Sequence, residues 1–186
     1  MNAGSWLLAI GSVVFVVSAS SAQDKAELSS DPPAAPPSSG VAPPITPQER
    51  ETLNLLHASN REEIEAGRMA TRRARSATIR RFGQFLIRSQ TTADRELTAL
   101  AKQNRVELES SGDAQLEQLK RTWDPALFDR RFLNLLARNQ TESIRSVQAA
   151  QLDAQNASVQ AFIGRTLPTL QKHEDATLLQ LRNSPF

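Results

Sequence analysis

Apolar residues recur at helical spacing in four long stripes along this chain, each about 25 residues in extent. The first carries Leu53, Leu56, Asn60, Ile64, Gly67 and Ala74; the second carries Ile79, Phe82, Leu86, Gln90, Ala93, Leu97 and Leu100. The third runs through Phe128, Phe132, Leu136, Gln140, Ile144 and Val147, and the fourth through Val159, Phe162, Ile163, Leu167, Leu170 and Leu181. Such spacing gives each helix one face to bury. Thr46-Pro47-Gln48-Glu49 is a start signal: threonine caps, proline takes the first helical position, and Glu49 completes a capping box. It predicts a first helix to about Arg75 and a second to about Asn104. Ser110-Ser111-Gly112 breaks the pattern, Asp113 to Thr122 predicts a short connecting helix, and Asp124-Pro125 restarts a long one. The last helix begins near Asn156, and Pro168 inside it predicts a kink or a split.

Tight joints connect the first helix to the second and the third to the fourth, while the middle connection is longer. Residues 47–183 are therefore expected to form an all-α four-helix bundle of two packed hairpins. Ahead of it, residues 23–46 read as a disordered linker rich in Pro, Ala and Ser. Seven of the ten prolines lie between Pro32 and Pro47. Residues 1–22 read as a signal peptide: an apolar run from Trp6 to Val17, then Ser20 and Ala22 in the small-residue positions of a cleavage site. Export of the mature chain follows from that reading. No later run is long and apolar enough for a transmembrane segment in the mature chain. The absence of cysteine excludes a disulfide framework, thiolate ligands and a cysteine nucleophile.

Two stretches are near-copies, Leu86-Ile87-Arg88-Ser89-Gln90-Thr91 and Leu136-Ala137-Arg138-Asn139-Gln140-Thr141. Each sets a glutamine on a core-facing stripe near the middle of its helix, where an amide needs a partner. Glu63 flanks the inward face of the first helix and His173 that of the last. Glu63, Gln90, Gln140 and His173 therefore form a candidate polar layer. It can serve as a hydrogen-bonded device that fixes helix register, or as a metal or cofactor site of the kind bundles build in their cores. Metal arithmetic favours the first: there are two histidines, His57 and His173, and no Glu-x-x-His spacing. No metal or other cofactor is implied by the residues, and no phosphate loop, nucleophile elbow or histidine-based triad is present.

Charge placement adds a second candidate. From Ala66 to Ala93 there are seven arginines and no acidic residue, although the whole chain has a net charge of only +2. Arg72, Arg73, Arg80 and Arg81 gather around the first tight joint. Arginine suits phosphate and carboxylate recognition, so an anionic envelope surface or an envelope protein is the expected partner. The alternative is a solvated helix end favourable to the helix dipole. Nucleic acid is not expected of an exported chain without interleaved aromatics.

The stretches Glu63-Ile-Glu-Ala-Gly-Arg-Met-Ala70, Phe85 to Ala101, Phe128-Asp-Arg-Arg-Phe-Leu133 and Thr166-Leu-Pro-Thr-Leu-Gln-Lys-His173 resemble a bacterial family of exported proteins. It is known as domain of unknown function 4142 and labelled predicted outer membrane protein. The resemblance implies a ferritin-like bundle preceded by a signal peptide and a variable leader. Members usually carry Asp-His where this chain has Ser89-Gln90 and Asn139-Gln140. With Glu63 and His173, such pairs would make an internal metal or polar site; here both are exchanged for neutral residues. The expected function is thus non-catalytic binding or structural support in the cell envelope. The alternative is a ferritin-like metal or redox protein using Glu63 and His173, helped by Asp94.

Overall fold

The structure, a computed structural model, describes residues 43–109 and 113–184. The expected signal peptide, and residues 23–42 of the expected linker, lie outside the described residues. Among those described, the chain is all helical and has no strand: α1 Pro47–Arg73, α2 Ala77–Gln103, α3 Ala114–Lys120, α4 Pro125–Asp153 and α5 Ala157–Asn183. Packing is closest between α1 and α2, then between α4 and α5, with α1 against α4 joining the two hairpins and only slight contact of α2 with α5. The result is a helical bundle with the short α3 laid against α1 and α4.

Local chemistry sets the boundaries. Thr46 caps α1 in a complete capping box with Glu49, Asp124 caps α4 ahead of Pro125, and Asn156 caps α5. Asp113 caps α3 through the backbone N–H groups of Gln115 and Leu116. Two buried carboxylates then clasp each hairpin to the other. Glu49 in α1 accepts the backbone N–H groups of Gln155 and Asn156, both at 2.9 Å, in the α4–α5 turn. Asp129 in α4 accepts those of Arg75 and Ser76, at 3.1 and 3.0 Å, in the α1–α2 turn. Burial acts to raise the pKa of Glu49, but the backbone donors of Thr46, Asn156 and Gln155 outweigh it and hold the group below its usual value.

Two expectations change. Of the kink or split expected at Pro168, the split does not occur, because α5 continues unbroken through it. Proline removes the donor for the Gly164 carbonyl, but both residues are solvent-exposed, so water can serve that carbonyl instead of the helix breaking. The expected linker also does not run loose up to Thr46. The Asn156 side chain donates to the Pro43 carbonyl at 2.8 Å, and Ile45 packs on the core near the α4–α5 turn.

The core falls into two apolar clusters. One, around Ile79, Leu86, Phe128, Phe132 and Leu136, fills the end that holds the α1–α2 turn. The other, around Leu53, Leu97, Val147, Val159 and Ile163, fills the opposite end. In every long helix the two sets are separated by buried polar residues.

Candidate functional site

Of the four residues expected to form a polar layer, the structure brings Glu63, Gln90 and Gln140 together, centred on Glu63. Its carboxylate is 1 % exposed. Oε2 accepts from Gln90 Nε2 at 2.6 Å and from Gln140 Nε2 at 3.4 Å, so α1, α2 and α4 meet at one oxygen. Burial raises the Glu63 pKa to about 7 against the pull of the two amide donors, and the neighbouring Glu62 adds to the rise. Both glutamines are therefore explained as partners of a buried carboxylate.

His173 does not join that hydrogen-bonded set. Its ring is buried, stands edge-on to Phe85 with centroids 5.4 Å apart, and leaves Nδ1 without a partner. Burial holds its pKa below the usual histidine value. With Gln90, Asn60, Thr166 and Thr169 it lines a small cavity of about 30 Å³ near the α2–α5 seam, room for about one water. Gln140 Oε1, Ser143 Oγ and Thr177 Oγ1 are likewise buried and unpartnered. The level is thus half closed: satisfied around Glu63, open on the α4–α5 side.

Asp94 does not reach this level as a ligand. It shares a 2.7 Å hydrogen bond with His57 Nδ1 between α2 and α1, the carboxylate oxygen accepting. Among the described residues, no group of three His, Asp or Glu side chains is arranged to hold a metal ion.

A second polar cluster was not expected from sequence. Glu62 accepts from Asn139 Nδ2 at 2.9 Å, Asn139 accepts from Arg138 at 2.9 Å, and Arg138 pairs with the α3 cap Asp113. These groups border an open cleft of about 420 Å³ with Glu51, Glu109 and Glu142. Burial first, then the charge of Asp113, raises the Glu62 pKa to about 7 even though Asn139 and Arg138 act to lower it. The adjacent Glu62-Glu63 pair, one residue turned inward and one sideways, was its only visible signal.

The four arginines of the first joint have separate fates. Arg73 donates to the carbonyls of Lys120 and Thr122, and its guanidinium lies 5.3 Å from the Trp123 ring centroid and 4.8 Å from that of Phe128. Arg80 donates to the carbonyls of Ala74 and Arg75, at 2.7 and 3.0 Å, completing the C-terminal end of α1. Arg72 and Arg81 remain exposed, as do Arg68, Arg75 and Arg88. None of these five forms an ion pair among the described residues. No helix among the described residues is long and apolar enough to cross a membrane.

Comparison with curated proteins gave no match. Among solved structures, the chain is similar to a DUF305 fragment from Deinococcus radiodurans, with a TM-score of 0.67 and 16 % identity over 76 % of this chain and 100 % of that one. It is also similar to CopM in its silver-bound form, with a TM-score of 0.59 and 12 % identity over 73 % of this chain and 96 % of the other. At such identities these likenesses concern the helical fold alone. A family model described as "Domain of unknown function (DUF4142)" matches residues 34–177, and the chain belongs to that family.

Proposed function

We propose that this is an exported, non-catalytic four-helix bundle of ferritin-like type that acts in the periplasm or at the outer membrane by binding an anionic envelope surface. The observation that carries the reading is the set of exposed arginines at and near the α1–α2 turn, without ion-pair partners, beside two arginines committed to holding that turn in shape. The amide-held carboxylate at mid-bundle supports a scaffold role, because its acceptor oxygen is already used to fix the register of three helices. Only the exposed pair belongs in the test, since Arg73 and Arg80 serve the fold. Each basic residue near an anionic surface is worth about 1 kcal/mol, so the double reversal Arg72→Glu with Arg81→Glu should weaken binding to envelope fragments by at least about tenfold. Co-sedimentation at low and high salt reads it out; binding that is unchanged, or indifferent to salt, sinks the reading.

A second reading, a metal or redox protein using Glu63 and His173, draws on one observation: His173 Nδ1 and Gln140 Oε1 are buried without partners. CopM, which shares the fold, is known in a silver-bound form. Against it stands the commitment of Asp94 to His57. Stoichiometric metal in protein purified from its own envelope, lost in His173→Ala, would favour this reading; metal-free protein would exclude it.

A further inference from the structure

Trp123 is 86 % exposed, a large exposure for the chain's only tryptophan outside the first few residues. It precedes the α4 cap Asp124, where an apolar residue often packs inward on the helix's fourth position, here Phe128. Instead, the guanidinium of Arg73 lies close to both rings and most of the Trp123 ring stays in water. A single exposed apolar side chain is ordinary, and Leu152 near the opposite end is equally exposed. What distinguishes Trp123 is its company. The same end of the bundle presents the exposed side chains of Arg72, Arg75, Arg81, Arg121 and Arg130. Its carboxylates are largely committed: Asp129 to the α1–α2 turn, Asp124 to the first N–H groups of α4, and Glu117 to Lys120. The Leu152 end mixes its exposed charges, with Glu51, Glu107, Glu109 and Asp153 beside Arg50, Lys102 and Arg105.

An indole ring has an apolar body and one N–H donor, and favours the depth where lipid headgroups meet acyl chains. Arginines around it would engage lipid phosphates and hold the ring at that depth. We infer that this end of the bundle docks on the surface of an anionic lipid bilayer, with Trp123 as the side chain that enters the headgroup region. The inference rests on the anionic-surface reading above and names the surface. A soluble polyanion would recruit the arginines but leave the ring in water, and an acidic protein would not report acyl chains around it.

The chain has two tryptophans, Trp6 and Trp123, and no tyrosine, so in a Trp6→Phe background the fluorescence belongs to Trp123 alone. With phosphatidylglycerol-containing vesicles its emission should move to shorter wavelength and be quenched by brominated acyl chains. Pure phosphatidylcholine vesicles should produce neither effect. Because the ring is exposed, Trp123→Ser should leave the circular dichroism spectrum intact and weaken vesicle binding about tenfold, with Trp123→Phe recovering part of the loss. Vesicle binding with unshifted, unquenched emission would overturn the role of Trp123 while leaving the arginine reading in place. Binding to lipid-stripped envelope fragments but not to vesicles would overturn the lipid surface as the target. Failure to bind either would remove the underlying reading as well.

Discussion

Gly83→Val should largely unfold the α1–α2 hairpin, and Gly83→Ala should destabilise it measurably, although alanine is the better helix former. A Cβ built on Gly83 lies 2.8 Å from the Gly67 carbonyl oxygen and 3.0 Å from the Ala70 Cβ; one built on Gly67 lies 2.9 Å from the Gly83 carbonyl oxygen. Two of these three contacts are with backbone, which cannot rotate away, so the helices must part. That separation would loosen contacts around Ala66, Ala70 and Leu86, all buried in the same cluster. Overpacking of this kind costs about 1–3 kcal/mol for a small increment and more for larger ones, against a propensity gain of about 1 kcal/mol. We expect a net loss of up to about 2 kcal/mol for Gly83→Ala and beyond 3 kcal/mol for Gly83→Val. Gly164 supplies the control: a Cβ there meets nothing within 4 Å, so Gly164→Ala should raise stability by a few tenths to about 1 kcal/mol. Thermal melts of the three variants decide the matter. Equal stabilisation by alanine at positions 83 and 164 would show that the close approach of α1 and α2 carries no energetic weight.

This contact also marks where sequence reading stops. Gly67 sits on the apolar stripe of α1, but nothing in the periodicity of α2 distinguishes Gly83, because a glycine's role here is set by the distance between two helix axes. Starts and caps were legible at Thr46, Asp124 and Asn156, since the cap and the groups it serves lie within three residues. The mid-level amides were legible for a different reason: Gln90 and Gln140 interrupt otherwise apolar stripes, and burial obliges them to find partners. Their common partner was harder to place. Glu63 stands beside the stripe, and only the rotation of α1 about its axis decides that Glu63 turns inward while Glu62 meets Asn139. The same phase angle brings His57 to Asp94 and so removes Asp94 from the inner level. At the first joint, arginine density was visible, but its division was not. Arg73 and Arg80 are drawn to backbone carbonyls of the α3–α4 loop and of their own turn, contacts that exist only after the hairpin closes.

Glu63→Gln should stabilise the protein at pH 8 and change little below about pH 4.5. The folded-state pKa of Glu63 is about 7, against 4.5 for the free side chain, because burial disfavours the charged form. Below the lower value both folded and unfolded chains carry the proton, and the group adds nothing to the balance. Between the two values the folded chain keeps a proton that the unfolded chain has released, so rising pH costs stability. Above about 7 the cost is complete, at about 3 kcal/mol. Glutamine has the same shape, offers an oxygen to Gln90 and Gln140, and has no charge to desolvate. Its amide hydrogens, like the proton of neutral Glu63, can also serve Gln140 Oε1, which has no partner while Gln140 Nε2 faces the carboxylate. The opposite outcome is expected of Glu63→Leu, which strands the amide donors of both glutamines at about 1–3 kcal/mol each. Other groups titrate in the same range. Glu62, also raised to about 7, adds a smaller slope of the same sign because it is only partly buried. Buried His173 opposes both: its folded value lies below 6.5, so stability falls as pH drops below 6.5. All of these remain in the variant, so the difference between wild type and Glu63→Gln isolates Glu63. Its melting temperature should exceed that of wild type by roughly 5–10 °C at pH 8, with the gap closing towards pH 4.5. A gap that is constant with pH would mean that Glu63 is charged in the folded protein throughout, and that the two glutamines suffice to hold a carboxylate in this core.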